Sequence, residues 1–258
     1  MMTYGIIPAR FGSSRFPGKP LADIAGKPLI ARTLEAAGKA KSLDIAFVAT
    51  DDRRIADAVE AYGGKAVMTP SELPSGTDRI ACAADAFARE TGGSGFGDDD
   101  ILVNIQGDEP LVDPALIDSL AGALRSDPGL DMATAVAPIR EKRDVASRSV
   151  VKVVTDRAGN ALYFSRSPVP CVRDGECDPA NAPYLRHIGI YAYRGGFLRR
   201  YVSERQCELE KAEKLEQLRA LWMGAKIATV AAGEDAGVGV DTPEDAERVG
   251  RIFRERGG

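Results

Sequence analysis

Two acids, Asp108 and Glu109, stand together in the segment NIQGDEP (104–110), directly after an apolar run at residues 101–105. Carboxylates at the end of a strand are placed to hold a hard cation. Magnesium bound to nucleotide phosphates takes one or two protein carboxylates and fills its other positions with water and phosphate oxygen. A third acid, Asp241, lies in GVGVDTPED (237–245). Its segment also reads as a helix start, with Asp241 or Thr242 as the cap and Pro243 in the first turn, and spacing leaves both readings open. The matching cations come earlier. A strand-like run at residues 4–8 leads straight into PARFGSSRFPGKPL (8–21), which carries Arg10, Arg15 and Lys19 with Gly12 and Gly18 between them. Glycine lets backbone N–H groups approach an anion, and three cations could neutralise a triphosphate. The loop is not a Walker-type phosphate loop, because five residues separate Gly12 from Gly18 and Pro20 stands where Ser or Thr is needed. No GxGxxG follows the strand, and a basic surface loop is the alternative reading. Gln106 is placed to hydrogen-bond a base or a sugar. SGTDR (75–79) precedes a helical run and reads on spacing as a capping turn.

These groups need a scaffold that gathers strand ends. Apolar strands at 4–8, 45–50, 66–68 and 101–105 alternate with helical spacing at 29–40, 53–62, 78–89 and 114–124. Asp51 and Asp52 are set to cap the second of these helices. Such alternation predicts a mostly parallel sheet with helices on both faces, where ligands bind beyond the carboxyl ends of the strands. The pattern then changes. Strands are predicted at 132–138, 150–155, 161–165 and 188–193, with a hairpin turn at 156–160 (DRAGN), and they read as an antiparallel insertion spanning about 131–194. Helical spacing returns at 208–222, with Leu209, Ala212, Leu215 and Leu218 on one face, before a strand at 227–230 and a helix at 243–254. The loop GGSGFG (92–97) leads into Asp98, Asp99 and Asp100, which read as solvated rather than metal-binding.

The chain has 258 residues, 44% hydrophobic and 28% charged, with a net charge of -4. The length suits one domain, 1–258, with a subdomain. The charge balance gives no reason to expect nucleic-acid binding, so any anion site must be local. Cys82, Cys171, Cys177 and Cys207 form no CxxC pair, and with one histidine no zinc site is expected. Cys171 and Cys177 could pair, but free thiols in a reducing compartment are the expectation. No signal-like segment or membrane-length apolar run is present, so a cytoplasmic protein without membrane insertion is expected.

In this order, IPARFGSSRFPGKPL (7–21), SGTDR (75–79), NIQGDEP (104–110), VVKVV (150–154), ALYFSRSPVP (161–170), RHIGIYAYR (186–194), LEKAEKLEQLR (209–219) and GVDTPED (239–245) resemble the 3-deoxy-manno-octulosonate (Kdo) cytidylyltransferases across nearly the whole chain. The first segment is shared with sialic-acid cytidylyltransferases, and the later ones are the more specific. The resemblance implies an α/β, Rossmann-like fold with an antiparallel dimerisation insertion. It also implies a homodimer, and transfer of CMP from CTP to the anomeric hydroxyl of Kdo with magnesium and release of pyrophosphate. By resemblance, Ala9, Arg10, Ser13, Arg15 and Lys19 contact CTP, and Ser75, Thr77 and Gln106 lie near the cytidine and ribose. Asp108 and Asp241 hold magnesium and, with Arg15 and Lys19, serve catalysis. Arg79, Arg166, His187, Tyr191, Glu216 and Gln217 line the sugar site. A lone histidine in an apolar strand is more often structural, and only the match of RHIGIY assigns His187 to the sugar. Another acid sugar, 8-amino-Kdo or sialic acid, and a non-catalytic nucleotide-binding module are the rival readings. RHIGIY and LEQLR argue against sialic acid. Nothing assigns a role to residues 171–183.

Overall fold

The computed structural model describes residues 1–12, 16–233 and 239–255. Strand β1 (Thr3–Ala9) opens the chain. A 3-10 turn at Lys19–Leu21 and a small hairpin of β2 (Asp23–Ile24) and β3 (Lys27–Pro28) lead into helix α1 (Leu29–Ala37). Then follow β4 (Ile45–Thr50), α2 (Arg53–Ala61), β5 (Ala66–Met68), α3 (Gly76–Glu90), β6 (Ile101–Asn104) and α4 (Pro114–Ser126). The second half runs β7 (Met132–Pro138), α5 (Lys142–Ala146), β8 (Lys152–Thr155), β9 (Ala161–Ser165), β10 (Leu185–Arg194) and α6 (Gly195–Ser203). It closes with α7 (Glu208–Glu213), α8 (Gln217–Trp222), β11 (Ile227–Ala231) and α9 (Pro243–Glu255).

The main sheet has the order β11-β7-β10-β6-β1-β4-β5. β4 and β6 flank β1 in parallel, β5 follows β4 in parallel, and β11 runs parallel to β7. β10 alone on this path runs against its neighbours, β6 and β7. Side chains of a strand alternate between faces. Tyr4 and Ile6 of β1 accordingly join Phe47 and Ala49 of β4 on one face, packed with Ile80, Phe87 and Leu218. Ile7 and Val48 point to the other, packed with Ile30, Ile55 and Leu120. Each face has its own helical layer, as the sequence pattern predicts.

The antiparallel pairing expected across 131–194 is present, but it is woven into the main sheet. β7 and β10 are sheet members, and only the β8–β9 hairpin extends beyond them, with β8 pairing β10. The hairpin turns through Asp156, whose carboxylate accepts N–H bonds from Ala158 and Asn160, both at 2.8 Å, with Gly159 at φ 81°. The helix expected over 208–222 is broken. Lys214 adopts a left-handed conformation (φ 54°, ψ 48°) between α7 and α8. The apolar period therefore does not carry through: Leu215 and Leu218 are buried, while Leu209 is 42% exposed. α7 instead buries Glu210, whose Oε2 lies 3.1 Å from Nε of Arg219. The triplet at 98–100 is not uniformly solvated. The Asp100 carboxylate is buried and accepts from the backbone N–H groups of Met2 and Gly97, both at 2.6 Å.

Candidate active site

Besides α2, which Asp52 caps, three further helices have capped starts. Ser75 caps α3, its Oγ accepting from Asp78 N–H at 3.1 Å, as the capping reading of SGTDR predicts. This places Thr77 in the first turn of α3. Asp113 caps α4. At α9 the Thr242 hydroxyl accepts from Asp245 N–H at 3.2 Å, and the Asp245 carboxylate accepts from the N–H groups of Thr242 and Asp241, both at 3.1 Å. The cap is therefore made by Thr242 and Asp245, and the Asp241 carboxylate is left for other work.

That work is shared with Asp108. Val240 N–H donates to the Asp108 carbonyl at 2.8 Å, which sets the two acids side by side, while buried Val240 packs with Ile24 and Leu29. Lys19 Nζ lies 2.6 Å from Asp108 Oδ2 and 3.3 Å from Asp241 Oδ1. Both carboxylates thus already converge on one cation, an ammonium. Two carboxylates with room for phosphate and water oxygens match what nucleotide-bound magnesium takes. Among the described residues no group of three or more acids, histidines or cysteines could hold a metal without such help. Glu109, the neighbouring acid, differs from Asp108: burial, with a smaller contribution from Asp108, raises its pKa to about 7.

A cleft of about 550 Å³ opens beyond Pro8 of β1 and Asn104 of β6. Of the residues expected to bind ligand, Thr77, Gln106, His187, Tyr191, Glu216 and Gln217 line it. Gln106 Nε2 donates to the Gly189 carbonyl at 2.8 Å, which leaves its Oε1 as the remaining acceptor. The Thr77 hydroxyl donates to Glu216 Oε2 at 3.0 Å, tying α3 to the α7–α8 junction. The Tyr191 hydroxyl donates to Gln217 Oε1 at 3.3 Å. Burial, reinforced by Glu216, raises the Tyr191 pKa well above the usual phenol value, so it stays a donor. Two buried atoms on cleft-lining residues, the Gln217 Nε2 donor and the Asn104 Oδ1 acceptor, have no hydrogen-bond partner among the described residues. Buried polar groups are rarely left so, and a ligand in the cleft is the natural partner.

Two arginines expected at the sugar are not brought to the cleft lining. Arg79 is fully buried, with Nη2 2.9 Å from Asp51 Oδ2 and Nη1 bonded to Thr69 Oγ1. Its guanidinium is engaged beneath α3. Arg166 donates through Nε to the Glu213 carbonyl (2.6 Å) and through Nη1 to the Arg148 carbonyl (2.9 Å). The cations that do line the cleft are Arg186 and Lys214, with Ser149 nearby. None of the three was singled out by sequence reasoning. Arg186 stands within RHIGIYAYR, beside His187, where its type and place could have marked it. Ala9 ends β1 and is buried. Exposed Arg10 bonds the Leu73 carbonyl. Ser13 and Arg15 lie outside the described residues.

A mostly parallel α/β sheet with a cation-bridged acid pair and a polar cleft at its carboxyl edge suits the binding of a nucleotide and its metal. A family model described as Cytidylyltransferase matches residues 4–227. Curated 3-deoxy-manno-octulosonate cytidylyltransferases of Hahella chejuensis and Pseudomonas syringae pv. syringae are each 48% identical over 253 residues, covering 96% of this chain and of theirs. A solved structure of CMP:2-keto-3-deoxy-manno-octonic acid synthetase complexed with CTP superposes with a TM-score of 0.87 at 42% identity. The superposition covers 99% of this chain and 100% of that one. The chain belongs to the cytidylyltransferase family, in its 3-deoxy-manno-octulosonate branch.

Proposed function

We propose that the chain transfers CMP from CTP to the anomeric hydroxyl of Kdo, giving CMP-Kdo and pyrophosphate for lipopolysaccharide biosynthesis. The observation that carries this reading is the identity of 48% across 96% of the chain to curated enzymes of that name. The anomeric oxygen forms a bond to the α-phosphorus, the bond from that phosphorus to the bridging oxygen breaks, and the hydroxyl proton passes to solvent. No covalent enzyme intermediate is required, so the protein's task is to position the reactants and neutralise charge.

In this reading Asp108 and Asp241 hold magnesium, which would supply charge neutralisation at the triphosphate when bound. Lys19, now bridging the two acids, moves to the phosphates and shares that load with Arg15. Gln106 and Thr77 serve the cytidine side of the cleft. His187, Tyr191, Glu216 and Gln217 serve the sugar, and the cleft-lining cations Arg186 and Lys214 serve its carboxylate. We further propose a cytoplasmic homodimer. CTP is a cytosolic nucleotide, the four cysteines are free thiols, and no helix among the described residues is long and apolar enough to cross a membrane. Strand β9 is bonded along one side by β8 and leaves Leu162 60% exposed, a surface suited to a second copy.

The test is pyrophosphate release by purified protein with CTP and magnesium, offering Kdo, 8-amino-Kdo and sialic acid in parallel. Release with Kdo that stops on chelation is the expected result. Release with another sugar only would overturn the substrate. No release from folded protein that still binds CTP would leave a binding module.

A further inference from the structure

Thr134, in the middle of β7, is completely buried and lies outside the cleft lining. It sits opposite an irregularity in β10. The register steps from Ile188↔Ala135 directly to Tyr191↔Thr134, so Gly189 and Ile190 have no partner on β7. The Thr134 hydroxyl oxygen lies 2.9 Å from the Ile190 carbonyl, 3.3 Å from the Ile188 carbonyl and 2.9 Å from Nε2 of His187.

A hydroxyl has one proton to give. Aimed at the histidine, it would leave the hydroxyl oxygen facing two carbonyl oxygens with no hydrogen between them. Aimed at Ile190, it satisfies the carbonyl of the irregular stretch and obliges His187 to donate through Nε2–H. Burial lowers the His187 pKa to about 3, so the ring carries a single proton near neutrality. With that proton on Nε2, Nδ1 is an acceptor. The ring plane is held as well. Phe164 meets it edge-on at 5.1 Å between centroids, and Tyr191 lies at 5.4 Å on the same lining.

We infer that Thr134 is a positioning residue that locks His187 as the Nε2–H tautomer, leaving Nδ1 of this cleft-lining ring to accept a hydroxyl of the sugar substrate. The inference rests on the proposed sugar role of the cleft. It makes the site selective for a substrate with a hydrogen to give at that position, and poor for one with only an ether or carbonyl oxygen there.

The chain has one histidine, so a sample of the full protein labelled with 15N-histidine shows a single imidazole, whose long-range 1H–15N pattern reports its tautomer. The wild type and Thr134→Ser should both show Nε2–H and share one KM for Kdo. Thr134→Val should show mixed tautomers and a KM for Kdo raised about fivefold, the effect of one neutral hydrogen bond, with kcat and the KM for CTP little changed. An Nδ1–H tautomer in the wild type overturns the inference without any variant. So does Nε2–H retained in folded Thr134→Val. A tautomer that shifts while the KM for Kdo holds would overturn the hydroxyl contact. Failure of the underlying reading looks different: wild-type protein would release no pyrophosphate with Kdo at all.

Discussion

Asp108→Asn separates the metal reading from a structural one. The change removes a charge and keeps the shape. In the structure Asp108 Oδ2 lies 2.6 Å from Lys19 Nζ, and the two side chains are 33% and 16% exposed. A pair this accessible contributes no more than about 1 kcal/mol. The Asn carbonyl can still accept from Lys19, so Tm should fall by no more than about 3 °C in a chain of this length. Turnover should fall much further. Asp108 is one of two carboxylates proposed to hold the reaction-centre cation, and removing one preorganised electrostatic group at such a centre costs roughly 10²–10³ in kcat. Pyrophosphate release across a magnesium titration, run beside a thermal melt of the same sample, reads both quantities. Turnover within about tenfold of wild type, a barrier change near 1.4 kcal/mol, would refute the assignment. A collapse of Tm would refute the claim that the pair is structurally minor.

Lys19→Met should raise the KM for CTP by roughly tenfold or more, the worth of a charge-assisted contact, and unchanged steady-state kinetics with CTP would remove Lys19 from the phosphate site. Arg79→Met should cost about 3 kcal/mol in chemical denaturation, because Asp51 is left without its buried partner, while the KM for Kdo holds. A large rise in that KM without loss of stability would return Arg79 to the sugar. His187 gives a pH signature. Its pKa is lowered from 6.5 to about 3 in the folded protein, so between those limits the unfolded chain binds more protons. Stability contributed by the neutral ring is fully present above pH 6.5 and is lost as pH falls toward 3, at no more than about 1.4 kcal/mol per pH unit. Denaturant titrations from pH 7 to 5 should show a shallower slope in His187→Asn, and identical slopes would count against a buried neutral histidine.

The layered α/β half was legible because its signals are local. Strands buried on both faces read as continuous apolar runs, and Asp52 and the SGTDR turn at Ser75 announce the helices they cap. What sequence could not carry is the order of strands. The placement of β10 between β6 and β7 depends on pairing between segments far apart in the chain, such as Tyr191 with Asn104, which no local pattern encodes. The break at Lys214 was hidden for a related reason. A lysine in left-handed conformation costs energy that the local sequence does not justify, and it is met by tertiary contacts on both sides: Glu210 with Arg219, and Thr77 with Glu216.

The site divides along the same line. Residue type marked Asp108, Lys19 and Gln106, but type cannot say what else a side chain is holding. Asp241 and Thr242 were equal candidates for the α9 cap until Asp245 paired with Thr242. Arg79 and Arg166 had the right chemistry for a sugar carboxylate, yet one is bound to Asp51 and the other to backbone carbonyls. Arg186 reaches the cleft instead. Thr134 carried no signal, since a threonine inside an apolar strand is ordinary. Its role comes from an irregularity in the neighbouring strand that leaves a carbonyl to be satisfied. The same hydroxyl then decides where the only imidazole proton sits. A group that never touches substrate can in this way choose which hydrogen bonds the substrate must supply. The specificity of such a cleft is therefore set partly in the sheet beneath it.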